Sequence, residues 1–363
     1  MSLEQLFSPL QVGAIHLPNR IVMAPLTRGR AGAERIPNDL MLEYYALRAG
    51  AGLIITEATQ ISEQAAGWDQ SPGIHTDAQV QGWQKITEAV HRQGGRIVLQ
   101  LWHTGRASHP DFQPGGELPV SASAIAINGY SHTPKGKKPY LAPRPLQLDE
   151  IPGVVQQYAT ATRRAQDAGF DGVEIHAANG YLIDQFLKDG VNQRTDAYGG
   201  SIANRARFLL EVTEAVVNAW SSDRVGIKLS PSNHGYNDMR DSDPKATFTY
   251  VAEALNAFNL AFLDVFEPLP GHELAAEDDR YTPVIREAYN GVLVVGGGYD
   301  AELGEAAISN GEADLIAYGV PFIANPDLVE RFRLGAALNS PDPTTFHARG
   351  EKGYLDYPLL AKV

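Results

Sequence analysis

No cysteine occurs anywhere in the 363 residues. That excludes disulfides, thiolate metal sites, cysteine-ligated iron–sulfur clusters and cysteine nucleophiles. No apolar run approaches the roughly 20 residues that a membrane helix needs. Residues 1–5 (MSLEQ) lack the basic stretch and apolar core of a signal peptide. Basic residues are in deficit, 30 against 43 acidic ones, for a formal charge of −13. Such a balance argues against nucleic acid or an anionic membrane as partner. A cytoplasmic protein acting on small molecules is the plain expectation.

What is present is a rhythm. Eight short runs rich in Val, Ile and Leu, at 21–25, 52–58, 96–102, 172–176, 225–230, 262–266, 291–296 and 314–319, read as buried parallel strands. Helical patterns separate them. One opens at Asp149, expected to cap it, places Ile151, Val155, Tyr158, Thr162 and Ala165 on one face, and closes at Gly169. Another opens at Ser201 and sets Ile202, Leu209, Val212 and Val216 on one face. Eight strands alternating with helices predict a (β/α)8 barrel over residues 1–363 as one domain. The alternative is an open doubly wound sheet, but no Gly-x-Gly-x-x-Gly turn follows the first strand. Residues 10–17 predict a small hairpin under the barrel. Residues 103–148 form a long insertion after the third strand, holding seven of the 23 prolines. It is either a lid or a solvated ornament.

In such a barrel, side chains at strand ends and in the following loops converge on the active site. The fourth run ends in His176, Asn179 and Tyr181, two groups able to hold one substrate oxygen and a third able to lend a proton. Read alone, His176 fits a satisfied structural histidine as well as a ligand. The other strand ends offer Pro25 and Thr27, Glu57 and Ala58, then Gln100, Trp102 and His103. They continue with Lys228, with Gly296 to Gly298, and with Gly319. Glycines after strands seven and eight coincide with the common phosphate site of this fold, although they also serve as tight corners. Gln100 suits the edge of a heterocycle with alternating donors and acceptors. Lys228 suits a developing anion, an ion pair, or a Schiff base. Trp68 and Trp102 suit a flat pocket or an ordinary core. His103, His176 and Asp184 are weak metal candidates, with no matching set at other strand ends.

Residues 24–28 (APLTR), 100–106 (QLWHTGR), 176–182 (HAANGYL), 192–200 (NQRTDAYGG), 322–327 (FIANPD) and 353–358 (GYLDYP) resemble the signatures of the old yellow enzyme family. These are FMN-dependent ene-reductases, and the likeness is to the bacterial branch with N-ethylmaleimide and nitrate-ester reductases. It covers nearly the whole chain. The resemblance implies FMN across the barrel mouth, contacted by Pro25, Thr27, Ala58, Gln100 and Lys228, with Gly297, Gly298 and Gly319 on its phosphate. NADPH or NADH would reduce the flavin in the same pocket, in a ping-pong cycle. His176 and Asn179 would bind the substrate's carbonyl or nitro oxygen, and Tyr181 would protonate the neighbouring carbon while flavin N5 delivers hydride to the far one. The substrates implied are electron-poor alkenes (enones, enals, maleimides, nitroalkenes), with nitrate esters or nitroaromatics as a side activity. Trp68, Trp102 and His347 would line the substrate pocket.

The chain departs from that pattern in four places. Lys228 stands where the family usually has Arg, a point charge in place of a planar fork. Val320 follows Gly319 where many relatives carry an Arg. His347 replaces a usual Tyr, and Trp68 is bulkier than the expected Tyr.

Overall fold

The structure is a computed structural model describing residues 3–232, 235–275 and 280–361. Eight parallel strands, β1 (Ile21–Met23), β2 (Leu53–Ile55), β3 (Ile97–Trp102), β4 (Gly172–Ala177), β5 (Val225–Leu229), β6 (Phe262–Phe266), β7 (Leu293–Gly296) and β8 (Leu315–Tyr318), pair in chain order. The pairing of β8 with β1 closes the sheet, and every neighbouring pair is parallel. A two-residue extension, Thr59–Gln60, prolongs β2 alongside Leu101 and Trp102. All eight expected strands are present. The closed barrel, not the open sheet, is the fold.

Alternation along each strand sorts side chains between two cores. Leu99, Leu101, Val173, Ile175, Ile227, Leu263 and Val265 pack outward against the helices. Val22, Leu53, Ile55, Val98, Phe262, Val294, Leu315 and Ala317 point into the lower barrel. The expected hairpin, Leu10–Val12 with Ile15–Leu17, closes that end by adding Val12, Ile15 and Leu17 to the inner core. Both faces of every strand are therefore dry, which is why the strands read as continuous apolar runs.

The helices α1 (Asp39–Ala46), α2 (Asp77–Arg92), α3 (Ile151–Asp167), α4 (Leu182–Leu187), α5 (Ile202–Ala219), α6 (Pro244–Leu255), α7 (Thr282–Ala288), α8 (Ala301–Ser309), α9 (Val320–Ala324) and α10 (Leu328–Leu334) follow the strands. Ser201 caps α5 as expected, accepting from the Asn204 amide, though Ile202 is only half-buried. At α3 the expectation needs two corrections. The residue at the cap is Glu150, with no capping side chain, because its carboxylate is held by two bonds of 2.7 Å from Arg144. Val154, rather than Val155, is the fully buried position, three residues on from Ile151, while Val155 is half-buried at the edge of the stripe and Ile151, Tyr158, Thr162 and Ala165 are buried as expected. Gly169 does end the helix, in the left-handed conformation, at φ 80°.

Of the insertion 103–148, Val120–Ser121 pairs with Arg144–Pro145, and an exposed hairpin (Tyr130–Thr133 with Gly136–Pro139) projects from it.

In the lower barrel, Phe262 lies against Gly226, where an added Cβ would sit 2.2 Å from the ring. The glycine makes room for the phenyl group that fills the plug. Phe262→Ala should therefore cost about 3–5 kcal/mol, read as a lowered midpoint in urea unfolding with an unchanged slope. A loss below 1 kcal/mol would mean the plug carries little of the fold's stability.

Candidate active site

The upper half of the barrel is polar. Gln100 of β3 and Glu174 of β4 are adjacent in register, and Gln100 Nε2 donates to Glu174 Oε1 at 2.7 Å. Lys228 of β5 and Asp264 of β6 are likewise neighbours, and Lys228 Nζ donates to Asp264 Oδ2 at 2.5 Å. All four side chains are buried. Burial, then the nearby Asp264 charge, push the Glu174 carboxyl well above the usual carboxylate range.

His176 of β4 stands level with Lys228 across the strand pair, two residues beyond Glu174. Burial holds its imidazole well below its ordinary pKa, and the Lys228 charge adds to the effect. It is neutral at pH 7. Two turns of backbone then aim the remaining groups. Asn179 adopts φ 55°, fixed by its amide donating to Ser230 Oγ (2.8 Å) and by Asn237 Nδ2 donating to its carbonyl (2.8 Å). Gly180 N donates to Asp184 Oδ2 (2.8 Å), and Tyr181 begins α4. The Tyr181 ring lies edge-on to both His176 (centroids 4.9 Å apart) and Trp102 (5.0 Å). Burial, with Tyr236 and Tyr140 nearby, raises its phenol, so it carries its proton. His176 Nδ1, Asn179 Oδ1 and Trp102 Nε1 are buried without a hydrogen bond. Unspent polar atoms converging at one barrel mouth mark a ligand site.

Gln185 of α4 holds this corner to the insertion. Its Nε2 donates to the Gly180 carbonyl (2.7 Å) and the Thr104 carbonyl (3.0 Å), while its Oε1 accepts from Arg106 N (3.0 Å) and Ser121 Oγ (2.9 Å). His103 Nε2, Asp184 Oδ1 and His176 Nδ1 are buried without partners, but no three His, Asp or Glu side chains among the described residues are placed together to hold a metal ion. His103 Nδ1 accepts from Gly105 N at 3.1 Å, and Asp184 serves Gly180 and Lys188.

On the far side, Gly297 (φ 134°) and Gly298 (φ 103°) follow β7. A Cβ on Gly297 would lie 2.4 Å from the Glu267 carbonyl, so only glycine fits. Gly319 precedes α9. This bare, backbone-lined cradle suits a phosphate, and the residue that follows Gly319 is the exposed Val320, which brings no charge to it. Pro25, Thr27 and Ala58 border the mouth from the ends of β1 and β2. The set of a glycine cradle, the amide of Gln100 and the cation of Lys228 fits FMN.

The outer wall comes from the far end of the chain. Arg28 donates to the carbonyls of Phe346 (3.0 Å) and Gly353 (2.6 Å), and Arg30 to those of Thr345, Gly350 and Lys352. Tyr44 and Tyr354 stack at 4.0 Å beside Arg28. This clasp brings the exposed His347 against Trp68, with centroids 5.0 Å apart. Together with His132 and Thr133 of the insertion hairpin, these residues line a cavity of about 360 Å³. The structure brings His176, Tyr181 and Trp102 into contact, while Trp68 and His347 meet in a separate cavity lined by none of the strand-end candidates. It adds Glu174, Asp264 and the Arg28–Arg30 clasp, none of which the sequence singled out. The signal for Glu174 was its place two residues before His176, on the same strand face; for Asp264, it was a lone charge inside an apolar run.

A closed parallel barrel with a polar upper layer, a glycine cradle after β7 and a donor-rich loop after β4 defines a flavin-dependent barrel oxidoreductase. The chain belongs to the NADH:flavin oxidoreductase / NADH oxidase family, whose model matches residues 5–339, and within it to the old yellow enzymes. It is 46% identical to a probable flavin mononucleotide-dependent alkene reductase of Leishmania infantum, over 99% of this chain and 98% of that protein. It is 45% identical to 12-oxophytodienoate reductase 7 of Oryza sativa subsp. japonica, over 98% and 95%. Among solved structures, the old yellow enzyme homologue of Zymomonas mobilis superposes with a TM-score of 0.95 at 46% identity, over 98% and 99% of the two chains. Morphinone reductase superposes at 0.93 with 49% identity, over 98% and 96%, and has also been solved with tetrahydroNAD bound. The chain is an NAD(P)H-dependent flavin oxidoreductase using FMN. No helix among the described residues is long and apolar enough to cross a membrane.

Buried neutral histidines carry a cost at low pH. Burial holds His103 at a pKa of about 3, while the unfolded chain binds that proton below about 6.5. The folded state is therefore disfavoured progressively as pH falls from 6.5 towards 3, by up to about 1.4 kcal/mol per pH unit. The gap in unfolding free energy between His103→Asn and the wild type should shift in the variant's favour between pH 6.5 and 5. A gap independent of pH would show that His103 titrates normally in the fold.

Proposed function

We propose that this enzyme reduces the activated C=C bond of enones, enals, maleimides or nitroalkenes, with Tyr181 as proton donor. The observation that carries this reading is His176 Nδ1, a buried nitrogen without a partner, on a ring that lies edge-on to the protonated Tyr181 phenol. Bound FMN supplies the hydride, replenished by NADPH or NADH in the same pocket. Pro25, Thr27, Ala58, Gln100 and Lys228 would hold its ring system, and Gly297, Gly298 and Gly319 its phosphate. His176 and Asn179 bind the carbonyl or nitro oxygen. A neutral imidazole and a side-chain amide both donate there, and stabilise the negative charge that grows on that oxygen. Tyr181 delivers its proton to the carbon beside the activating group. Trp68, Trp102 and His347 bound the substrate laterally, and the insertion 103–148 covers the mouth as a lid. Reduction of nitrate esters or nitroaromatics is a side activity of the same donors.

A Schiff-base lyase using Lys228 is disfavoured, since that mechanism needs a neutral amine and Asp264 holds the ammonium at 2.5 Å. The direct test is the visible spectrum of the purified protein. Anaerobic NADPH should bleach a flavin band, and N-ethylmaleimide should restore it. A flavoprotein that bleaches but never recovers with any alkene would be a redox sensor, not a reductase.

Tyr181→Phe keeps the ring and its edge-on contacts but lacks the proton. Stopped-flow reoxidation by alkene should slow by about 10²–10⁴-fold, with reduction by NADPH changed little. Equal loss in both half-reactions would remove Tyr181 from the donor role.

A further inference from the structure

Four buried side chains form a chain across the barrel whose bonding is incomplete as ordinarily written. Glu174 spends Oε1 on Gln100, and Asp264 spends Oδ2 on Lys228. The second oxygen of each, Glu174 Oε2 and Asp264 Oδ1, is buried with no partner. The two carboxyl groups lie within hydrogen-bond reach of one another. Two ionised carboxylates so placed would repel, and each would bury an unsatisfied oxygen. One proton removes both problems at once.

We propose that Glu174 is a neutral acid donating from Oε2 to Asp264 Oδ1, and that Asp264 is thereby the fixed counter-ion of Lys228. Every carboxyl oxygen of the row Gln100–Glu174–Asp264–Lys228 is then bonded, and the row carries no net charge. Burial and the adjacent Asp264 charge both favour the protonated form of Glu174. His176, the other titratable group facing Lys228, is neutral and leaves this balance unchanged. Asp264 is a positioning residue: it sets how much positive charge the cofactor meets. Lys228 has three donors and uses one of them among the described residues, leaving two for a ligand. Its charge, however, is already balanced. Reduced FMN, the more negative form, gains less from this lysine than from an unpaired cation.

The inference concerns the flavin pocket described above, and its test has one arm that needs no flavin. In infrared spectra at pH 7, protein labelled with ¹³C at the glutamate carboxyl should show a protonated-acid C=O band that is lost in Glu174→Gln. An unchanged band pattern in that variant would overturn the shared proton, with or without bound FMN. The second arm is the two-electron midpoint potential of the holoenzyme. Asp264→Asn leaves Lys228 uncompensated, and should tighten binding of reduced relative to oxidised FMN at least tenfold, a rise of about 30 mV. Glu174→Gln keeps the shape and neutrality of the acid, donating to Asp264 and accepting from Gln100, so the ratio should stay within about threefold, or 14 mV. A shift in Glu174→Gln as large as that in Asp264→Asn would mean Glu174 is ionised. No shift in Asp264→Asn would mean Asp264 does not balance Lys228. Should Asp264→Asn fail to fold, Glu174→Gln and the infrared band still decide. A protein that takes up no FMN would refute the flavin reading, while the infrared arm would still report on the proton.

Discussion

Everything above the plug depends on the exclusion of water from a closed barrel. Inside it, a polar group keeps its place only if another polar group answers it, or if a ligand does. The lower half solves this by being apolar, with Phe262 set against Gly226. The upper half pairs Gln100 with Glu174 and Lys228 with Asp264. Beside and beyond them, His176, Asn179 and Trp102 keep unanswered atoms. The barrel runs from dry to paired to waiting, and the waiting groups are where the proposed chemistry falls.

That grading explains what could be read from the sequence. The fold was legible because eight two-sided strands leave eight unmistakable apolar runs. The proposed catalytic corner stood out because His176, Asn179 and Tyr181 are close in the chain. The interior row was hidden, since Glu174 and Asp264 lie on strands whose apolar neighbours dominate the pattern, and their meaning arises only from register. Register also made Lys228 ambiguous: a lysine at a strand end fits an ion pair or an open cation. The structure makes it both, an ion pair at the mouth of the site. The cap of α3 was misassigned because Asp149 and Glu150 are both acidic, and Arg144, which claims Glu150, is recognisable only in three dimensions.

The departures from the family pattern form a consistent set around the cofactor. Lys228 comes with its own carboxylate, and the glycine cradle lacks the following arginine at Val320. In the proposed FMN site both changes reduce the positive charge offered to an anionic cofactor. Backbone amides and shape then carry more of its recognition, which places the burden on Gly297, where no other residue fits.

The clasp at the outer wall has a different implication. Arg28 and Arg30 reach across more than 300 positions of sequence, and each acceptor they use in residues 345–353 is a main-chain carbonyl. A clasp of that kind recognises the path of a loop and is indifferent to its side chains. The residues displayed from it, His347 among them, are free to drift while the loop stays docked. Selection can thus retune which molecules are admitted without disturbing the architecture that admits them.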